Sequence, residues 1–434
     1  MKKNRIDIIT LGCSKNLVDS ERLLKRFSDL GYEVKHDSDN VTGEIVVINT
    51  CGFIGDAKEE SINTILQYVE AKKNKQIKKL YVMGCLSERY FEDLNIEIPE
   101  VDKFYGKFNW DNLITDLKLA VPPTKIYDRI LTTPKHYAYI KISEGCNRFC
   151  AFCAIPLITG RHTSRPMEEI CEEVEMLVGR GVKEFNIIAQ DLSSYGLDLY
   201  KKMKLPELIE RVANIKGVEW IRLHYAYPAQ FPYEILPVMR KYNNVCKYLD
   251  IALQHVSDKV LTNMRRHIDK EGTIALIKRL REEVPGIHIR TTLMVGFPGE
   301  GEDEFEELKK FVKDIKFDRM GAFAYCEEDD TYAAIHYDDE IPQETKQRRL
   351  DELMEIQEAV AFELNEEKIG KTLKVIIDKE EPDYYVGRTQ FDSPEVDPEV
   401  LIKKTTKLIQ GNFYNVKITG AMPYELMAEV EDVQ

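Results

Sequence analysis

Two rhythms run through the chain: short apolar runs that predict strands, and apolar positions three to four residues apart that predict helices. Up to residue 134, strands are predicted at 6–11, 44–48 and 80–83, and helices at 17–30, 56–71 and 88–94. Such alternation implies a small parallel sheet between helices, a three-layer α/β domain over 1–134. Residues 121–134 carry prolines and few periodic apolar positions, and read as a linker. The alternation then resumes. Strands are predicted at 137–142, 184–189, 219–223, 248–252, 288–295 and 320–324, with helices at 167–180, 205–213, 233–242, 270–284 and 301–314. Six βα units over 135–367 predict a partial parallel (βα)6 barrel whose ligand edge lies at the strand C-termini. Leu350, Leu353, Ile356, Val360 and Leu364 mark a long amphipathic helix over 344–369, stopped by Gly370. Five short runs follow, at 372–378, 384–388, 400–404, 411–419 and 426–431. They predict a small antiparallel β-barrel of OB-like size over 368–434.

Composition narrows the class. The 434 residues are 43% hydrophobic and 31% charged, enough for a soluble chain of two or three domains. No apolar run is long enough to span a bilayer, so no membrane partner is expected. The first residues, MKKNRIDII, reach an aspartate almost at once and read as a strand rather than a signal peptide. Nine cysteines, mostly in metal-type spacing, suit a reducing cytosol, so the expected location is cytoplasmic. The net charge is −14, from 61 basic and 75 acidic residues. An acidic surface repels nucleic-acid backbones and favours basic protein partners.

The stretch KISEGCNRFCAFCAIP (141–156) holds Cys146, Cys150 and Cys153, just past a predicted strand. Three thiolates can hold three irons of a 4Fe–4S cube and leave the fourth open to a substrate or cofactor. Structural zinc fits less well, because it wants four protein ligands and the nearest extra candidate, His162, sits in a polar loop. Three unrelated packed cysteines are the plain alternative, but cysteines clustered within eight positions point to a ligand set. A second set is scattered. Cys13, Cys51 and Cys85 each directly follow a predicted strand and are flanked by Gly12, Gly52 and Gly84. Parallel strands put these ends on one edge, so a second three-cysteine cluster is expected there. Each alone would read as a core cysteine. Cys171, Cys246 and Cys326 match no ligand spacing, and core packing is expected of the first two.

With Phe152 as the aromatic, C-x3-C-x-aromatic-C resembles the radical S-adenosylmethionine signature. The resemblance implies that the methionyl group of the cofactor chelates the open iron, and that one electron releases a 5′-deoxyadenosyl radical. The order of a three-cysteine α/β domain, a radical S-adenosylmethionine domain and a terminal TRAM domain is similar to that of the methylthiotransferases. LGCSKNLVDSE (11–21), IAQDLSSYG (188–196), YLDIALQH (248–255), RTTLMVGFPGE (290–300) and GRTQFDSPE (387–395) resemble the type that modifies an aspartate of a ribosomal protein. The tRNA-modifying relatives usually show a Gln-Met-Asn-like stretch where this chain has Ser14, Lys15 and Asn16.

The resemblance implies a methylthio group placed on the β-carbon of an aspartate in the twelfth small-subunit ribosomal protein. It implies two 4Fe–4S clusters, with S-adenosylmethionine as both methyl donor and radical source, and an external sulfur source and reductant. Cys146, Cys150 and Cys153 would hold the radical-generating cluster, and Cys13, Cys51 and Cys85 the auxiliary one. Phe152, Gln190, Gln254 and Arg265 would contact the cofactor. Arg265 is expected on the helix after the fourth barrel strand. Expected partners are the basic ribosomal protein, free or in the assembled small subunit, and a reductant such as flavodoxin or ferredoxin. Two rivals stay open: the same chemistry on a tRNA adenosine, and a non-catalytic iron–sulfur protein that binds RNA. Charge bears on the first. Residues 368–434 carry 9 basic and 12 acidic residues, a poor match to a phosphate backbone. An acidic barrel beside the active mouth is expected to attract a basic protein loop.

Overall fold

The computed structural model describes residues 2–38, 41–107, 109–123, 125 and 127–432. Met1, Val433 and Gln434, at the ends of the predicted domains, and Thr124 and Ile126 of the predicted linker lie outside them. Strands β1 (Lys2–Thr10), β2 (Glu33–His36), β3 (Gly43–Thr50), β4 (Lys79–Gly84) and β5 (Lys103–Phe104) form one parallel sheet in the order β2-β1-β3-β4-β5. Successive residues of β3 serve opposite faces. Ile45 and Val47 pack with Leu23, Leu24 and Phe27 of the helix Ser14–Asp29. Val46 and Ile48 pack with Ile65 and Val69 of the helix Gly55–Lys73. The result is the expected three layers. The sequence signal missed β2 and β5, which are four and two residues long at the sheet edges and have no room for a full period.

The predicted linker is irregular but anchored. Its Arg129 is fully buried, donating to Glu21 of the first domain at 2.6 Å and lying 2.9 Å from Glu173 of the next. The backbone N–H of Thr132 also donates to Glu21. The segment is therefore a strut between two layers rather than a spacer.

Strand β6 (Tyr137–Lys141) opens the central unit. The short pair β7 (Ser143–Glu144) and β8 (Thr163–Ser164) follows, then β9 (Glu184–Ile188), β10 (Trp220–Ala226), β11 (Val245–Gln254), β12 (His288–Val295) and β13 (Arg319–Ala324). Six of these form a parallel sheet in sequential order, β6-β9-β10-β11-β12-β13, the predicted partial barrel. Its large core runs from Ile140, Phe185 and Leu223 to the inner faces of the covering helices, with Leu177, Leu208 and Leu308. The helix Gln343–Glu366 closes the last strand.

Strands β14 (Thr372–Glu380), β15 (Tyr384–Thr389), β16 (Glu399–Lys403), β17 (Phe413–Ala421) and β18 (Glu425–Asp432) close into a barrel. The expectation of an antiparallel barrel needs one correction, because β16 and β18 run parallel. Closure joins two strands whose directions the hairpin count leaves alike.

A second correction concerns where this barrel sits. It does not stand beside the mouth that carries Cys146–Cys153. Its contacts are with the opposite, N-terminal ends of the central strands. Trp220 stacks edge-on against Phe413, and His288 stacks on Phe391. Arg319 donates to Asp392 at 2.6 Å, and Arg222 to the carbonyl of Gln390. Arg388 reaches Glu184 and Asp378. The cause is electrostatic. The first halves of these strands point arginines inward, and buried guanidinium groups need acid and carbonyl partners. The loop 389–398 supplies them to Arg222 and Arg319, while Glu184 and Asp378 serve Arg388.

Candidate active site between two cysteine triads

The strand pair β7–β8 clamps the base of the loop that carries Cys146, Cys150 and Cys153. The crossing is tight. Gly145 has φ 72, and a Cβ there would lie 2.2 Å from the Arg161 carbonyl oxygen, so glycine is required. The loop's middle is pinned on both sides: the Ala151 N–H donates to the Met264 carbonyl at 2.9 Å, and its carbonyl accepts from Ala333 N–H at 2.7 Å. Arg148 donates to Asp191 at 2.6 Å. Arg148 and Arg266 both stack on the Tyr227 ring, each 4.3 Å from its centroid. Arg266 donates to Cys150 Sγ at 3.2 Å, and the Arg148 N–H lies 3.5 Å from Cys146 Sγ. Donors aimed at sulfur suit a sulfur that carries charge.

Cys13, Cys51 and Cys85 converge at the C-terminal edge of the first sheet. Cys51 lies against Gly12, where a Cβ would stand 2.7 Å from Cys51 Cβ. Cys85 Sγ is 3.6 Å from Asn16 Oδ1. Asn16 in turn donates to the carbonyls of Leu11 and Thr50, tying two of the cysteine turns together. Cys85 opens the helix Cys85–Arg89 rather than preceding it. It also packs on Ala154 and Ile158, directly after Cys153. The two triads thus meet across the domain boundary.

Burial pushes the Cys85 and Cys146 thiols up to about 12 and raises Cys51 and Cys153. At Cys13, crowding by the chain also raises the thiol, but Lys15, backbone donors and Lys107 outweigh it and lower it. Thiols held this high are poor nucleophiles by themselves, whereas a cationic metal would ionise them. Among the described residues no three His, Cys, Asp or Glu side chains already close around one metal ion.

Between the triads runs a polar bridge. Lys141 pairs with Asp19 and Glu144, and Lys107 stands 3.7 Å from Glu144. Burial would raise the Glu144 carboxyl, but the two lysines outweigh it and hold it near about 2. Gln190 donates to Glu144 at 3.0 Å, while its Oε1 is buried without a partner. Gln254 ends β11 in a left-handed conformation, φ 75, and its Oε1 is also buried and unpartnered. Orphaned acceptors of this kind at a barrel mouth suit a bound polar ligand. Phe152 packs edge-on against Phe297 and lines a cleft of about 530 Å³ with Phe53, Met294, Tyr325, Glu328 and Lys346.

Arg265 falls elsewhere. It is not on a helix; the helix Asp258–Asn263 has ended, and Arg265 takes φ 57 and stacks on Tyr332 at 4.5 Å. The left-handed residue turns its neighbour inward, so Arg266 meets Cys150. Sequence offers only an Arg–Arg doublet there and no signal of which one faces in. Tyr227, Arg148 and Lys15 were likewise missed. His162, in the expected polar loop, is buried beside Ser164. Cys246 is buried among Trp220, Tyr248 and Ile376.

Residues 140–312 match the radical SAM superfamily, residues 369–430 the TRAM domain, and residues 5–106 a family described as Uncharacterized protein family UPF0004. Two solved radical enzymes share the fold. The methyltransferase TsrM from Kitasatospora setae has a TM-score of 0.59 at 14% identity, covering 77% of either chain. The cobalamin-dependent enzyme OxsB has a TM-score of 0.51 at 13% identity, covering 81% of this chain and 56% of that one. Fold and cysteine loop together define the radical S-adenosylmethionine class. Curated relatives called ribosomal protein uS12 methylthiotransferase RimO align from end to end. That of Phocaeicola vulgatus is 65% identical over 431 residues, covering 99% of this chain and 100% of the relative. That of Porphyromonas gingivalis is 61% identical over 434 residues, covering both chains fully. That of Christiangramia forsetii is 50% identical over 430 residues, covering 99% and 95%. The chain belongs to the RimO family of methylthiotransferases.

Proposed function

We propose that this protein inserts a methylthio group on the β-carbon of an aspartate in ribosomal protein uS12. The observation that carries the reading is the meeting of two cysteine triads, where Cys85 packs on the residues that follow Cys153. A β C–H bond is unacidic, so general-base chemistry is a poor route, and a radical generator next to a sulfur carrier is a sensible one. Cys146, Cys150 and Cys153 would hold one 4Fe–4S cluster, and Cys13, Cys51 and Cys85 the other. When bound, these clusters and S-adenosylmethionine supply the hydrogen-abstracting radical, the methyl group and the sulfur.

The chain's own residues position and shield. Arg266 and the Arg148 N–H stabilise charge on the sulfurs of Cys150 and Cys146. Gln190 and Gln254 offer acceptors to the polar parts of the cofactor, and Phe152 lines its rim. Arg265 stays a candidate only through the Tyr332 stack beside the same loop. The domains that go with this reading are 1–134, 135–367 and 368–434. Reductant, such as flavodoxin or ferredoxin, and sulfur come from outside, in the cytoplasm. Among the described residues no helix is long and apolar enough to cross a membrane. Mass spectrometry of uS12 and of tRNA from cells with and without this gene tests the assignment. Loss of the modification from uS12 is expected. Loss from tRNA alone would leave the radical chemistry and remove the substrate.

A further inference from the structure

Three lysines stand between the triads, and two of them face carboxylates. Lys141 has Asp19 and Glu144, and Lys107 has Glu144. The third is Lys15, two residues past Cys13 and only 9% exposed. Its ammonium lies 3.4 Å over the Tyr225 ring, and no carboxylate of the described residues pairs with it. A largely buried cation without an acid partner is costly, and a ligand anion would offset that cost. The ring beneath it is held in place. Tyr225 has φ 64, a conformation that costs energy outside glycine, and its N–H donates to Asp250 at 3.2 Å. Two residues on, the Tyr227 hydroxyl is 4.0 Å from Cys150 Sγ. Lys15 therefore reaches from the first triad to the wall of the second.

We propose that Lys15 binds the side-chain carboxylate of the aspartate to be modified. This rests on the reading of the protein as an aspartate methylthiotransferase. The β-carbon is bonded directly to the carboxyl carbon, so gripping the carboxylate fixes the reacting C–H in the space between the triads. The competing use of the charge is to offset the Cys13 thiolate. That use is blind to the substrate's side chain.

The test is binding of purified uS12, and of uS12 with its target aspartate replaced by asparagine, to reconstituted holoenzyme. The enzymes are wild type, Lys15→Met and Lys15→Arg, with iron and sulfide content measured on each. Lys15→Met is expected to weaken binding of unaltered uS12 about tenfold or more. It should barely change binding of the asparagine form, which wild type already holds as weakly. Lys15→Arg should recover part of the loss. Equal weakening of both forms by Lys15→Met, or of neither, overturns the proposal. If Lys15→Met assembles no first cluster, wild type alone decides, because equal affinity for the two forms also overturns it. Failure of the underlying reading looks different: wild-type holoenzyme then binds neither form of uS12, and this inference falls with it.

Discussion

At the N-terminal ends of the central strands, Arg222, Arg319 and Arg388 are buried, and each meets a carboxylate or carbonyl from the same chain. At the C-terminal ends, Gln190 and Gln254 bury acceptors with no partner among the described residues, and Lys15 buries a cation that no carboxylate of the described residues pairs. Both ends belong to one barrel and both are rich in polar groups. The difference is who satisfies them. Where the chain completes its own charges, the polar groups fix how two domains dock. Where it leaves them incomplete, the proposed function supplies a ligand as the partner.

The sharpest contrast is chemical. Replacing Cys146, Cys150 and Cys153 with alanine should abolish 5′-deoxyadenosine formation and lower iron from about eight to about four per chain. Replacing Cys13, Cys51 and Cys85 should lower iron equally, leave that cleavage measurable, and stop sulfur insertion. Methylthiolated product at the wild-type rate from this second triple variant would sink the two-cluster account.

At the other end, Glu184→Ala should cost about 3–5 kcal/mol, because it takes the acid partner from buried Arg222 and one of two acid partners from buried Arg388. Thermal or chemical denaturation reads this, with iron content unchanged. A loss of iron without a loss of stability would mean that the two ends are not separate in role.

Acid should loosen the same seam. Burial, with Lys368 and Arg319 nearby and against the pull of Asp318 and Asp392, lowers His288 to about 4. The unfolded chain takes up this proton first, so the contribution is full above about 6.5 and is lost as pH falls toward about 4. The magnitude is on the order of 3 kcal/mol. His288→Phe, which keeps the stack on Phe391, should flatten this part of the stability profile. An unchanged slope in the variant would assign it to other groups.

The smallest effect tests the orphaned acceptors. Gln254→Leu removes a buried, unpaired oxygen, so it should leave the unfolding midpoint of the protein unchanged or slightly raised. It should weaken S-adenosylmethionine binding about tenfold, read by equilibrium dialysis on the holoenzyme. A lower midpoint with unchanged affinity would make Gln254 an ordinary structural residue.

Much was legible before any coordinates. Local period marks strands and helices, so the three sheets and the helix Gln343–Glu366 followed from apolar spacing, with ends shifted by a residue or a few. The spacing of Cys146, Cys150 and Cys153 is local too. The strand–cysteine repeat predicted the other triad because parallel strands place their ends on one edge. Facing of side chains was not legible. Whether Arg265 or Arg266 meets Cys150 depends on one left-handed φ, and sequence carries no sign of it at an arginine. Which end of the barrel the last domain covers depends on Arg222 and Arg319 meeting Gln390 and Asp392, some 70 to 170 positions apart in the chain. The sequence by itself determined most of the elements, their order and the two cysteine sets expected to serve as ligands, because these rest on period and spacing within a few residues. Only the tertiary structure decided that Cys85 packs on Ala154 and Ile158 just past the second triad, that the last barrel covers the far end, and that no carboxylate of the described residues pairs with Lys15. Those are outcomes of long-range charge pairing and packing, and a pattern of neighbours along the chain does not encode them.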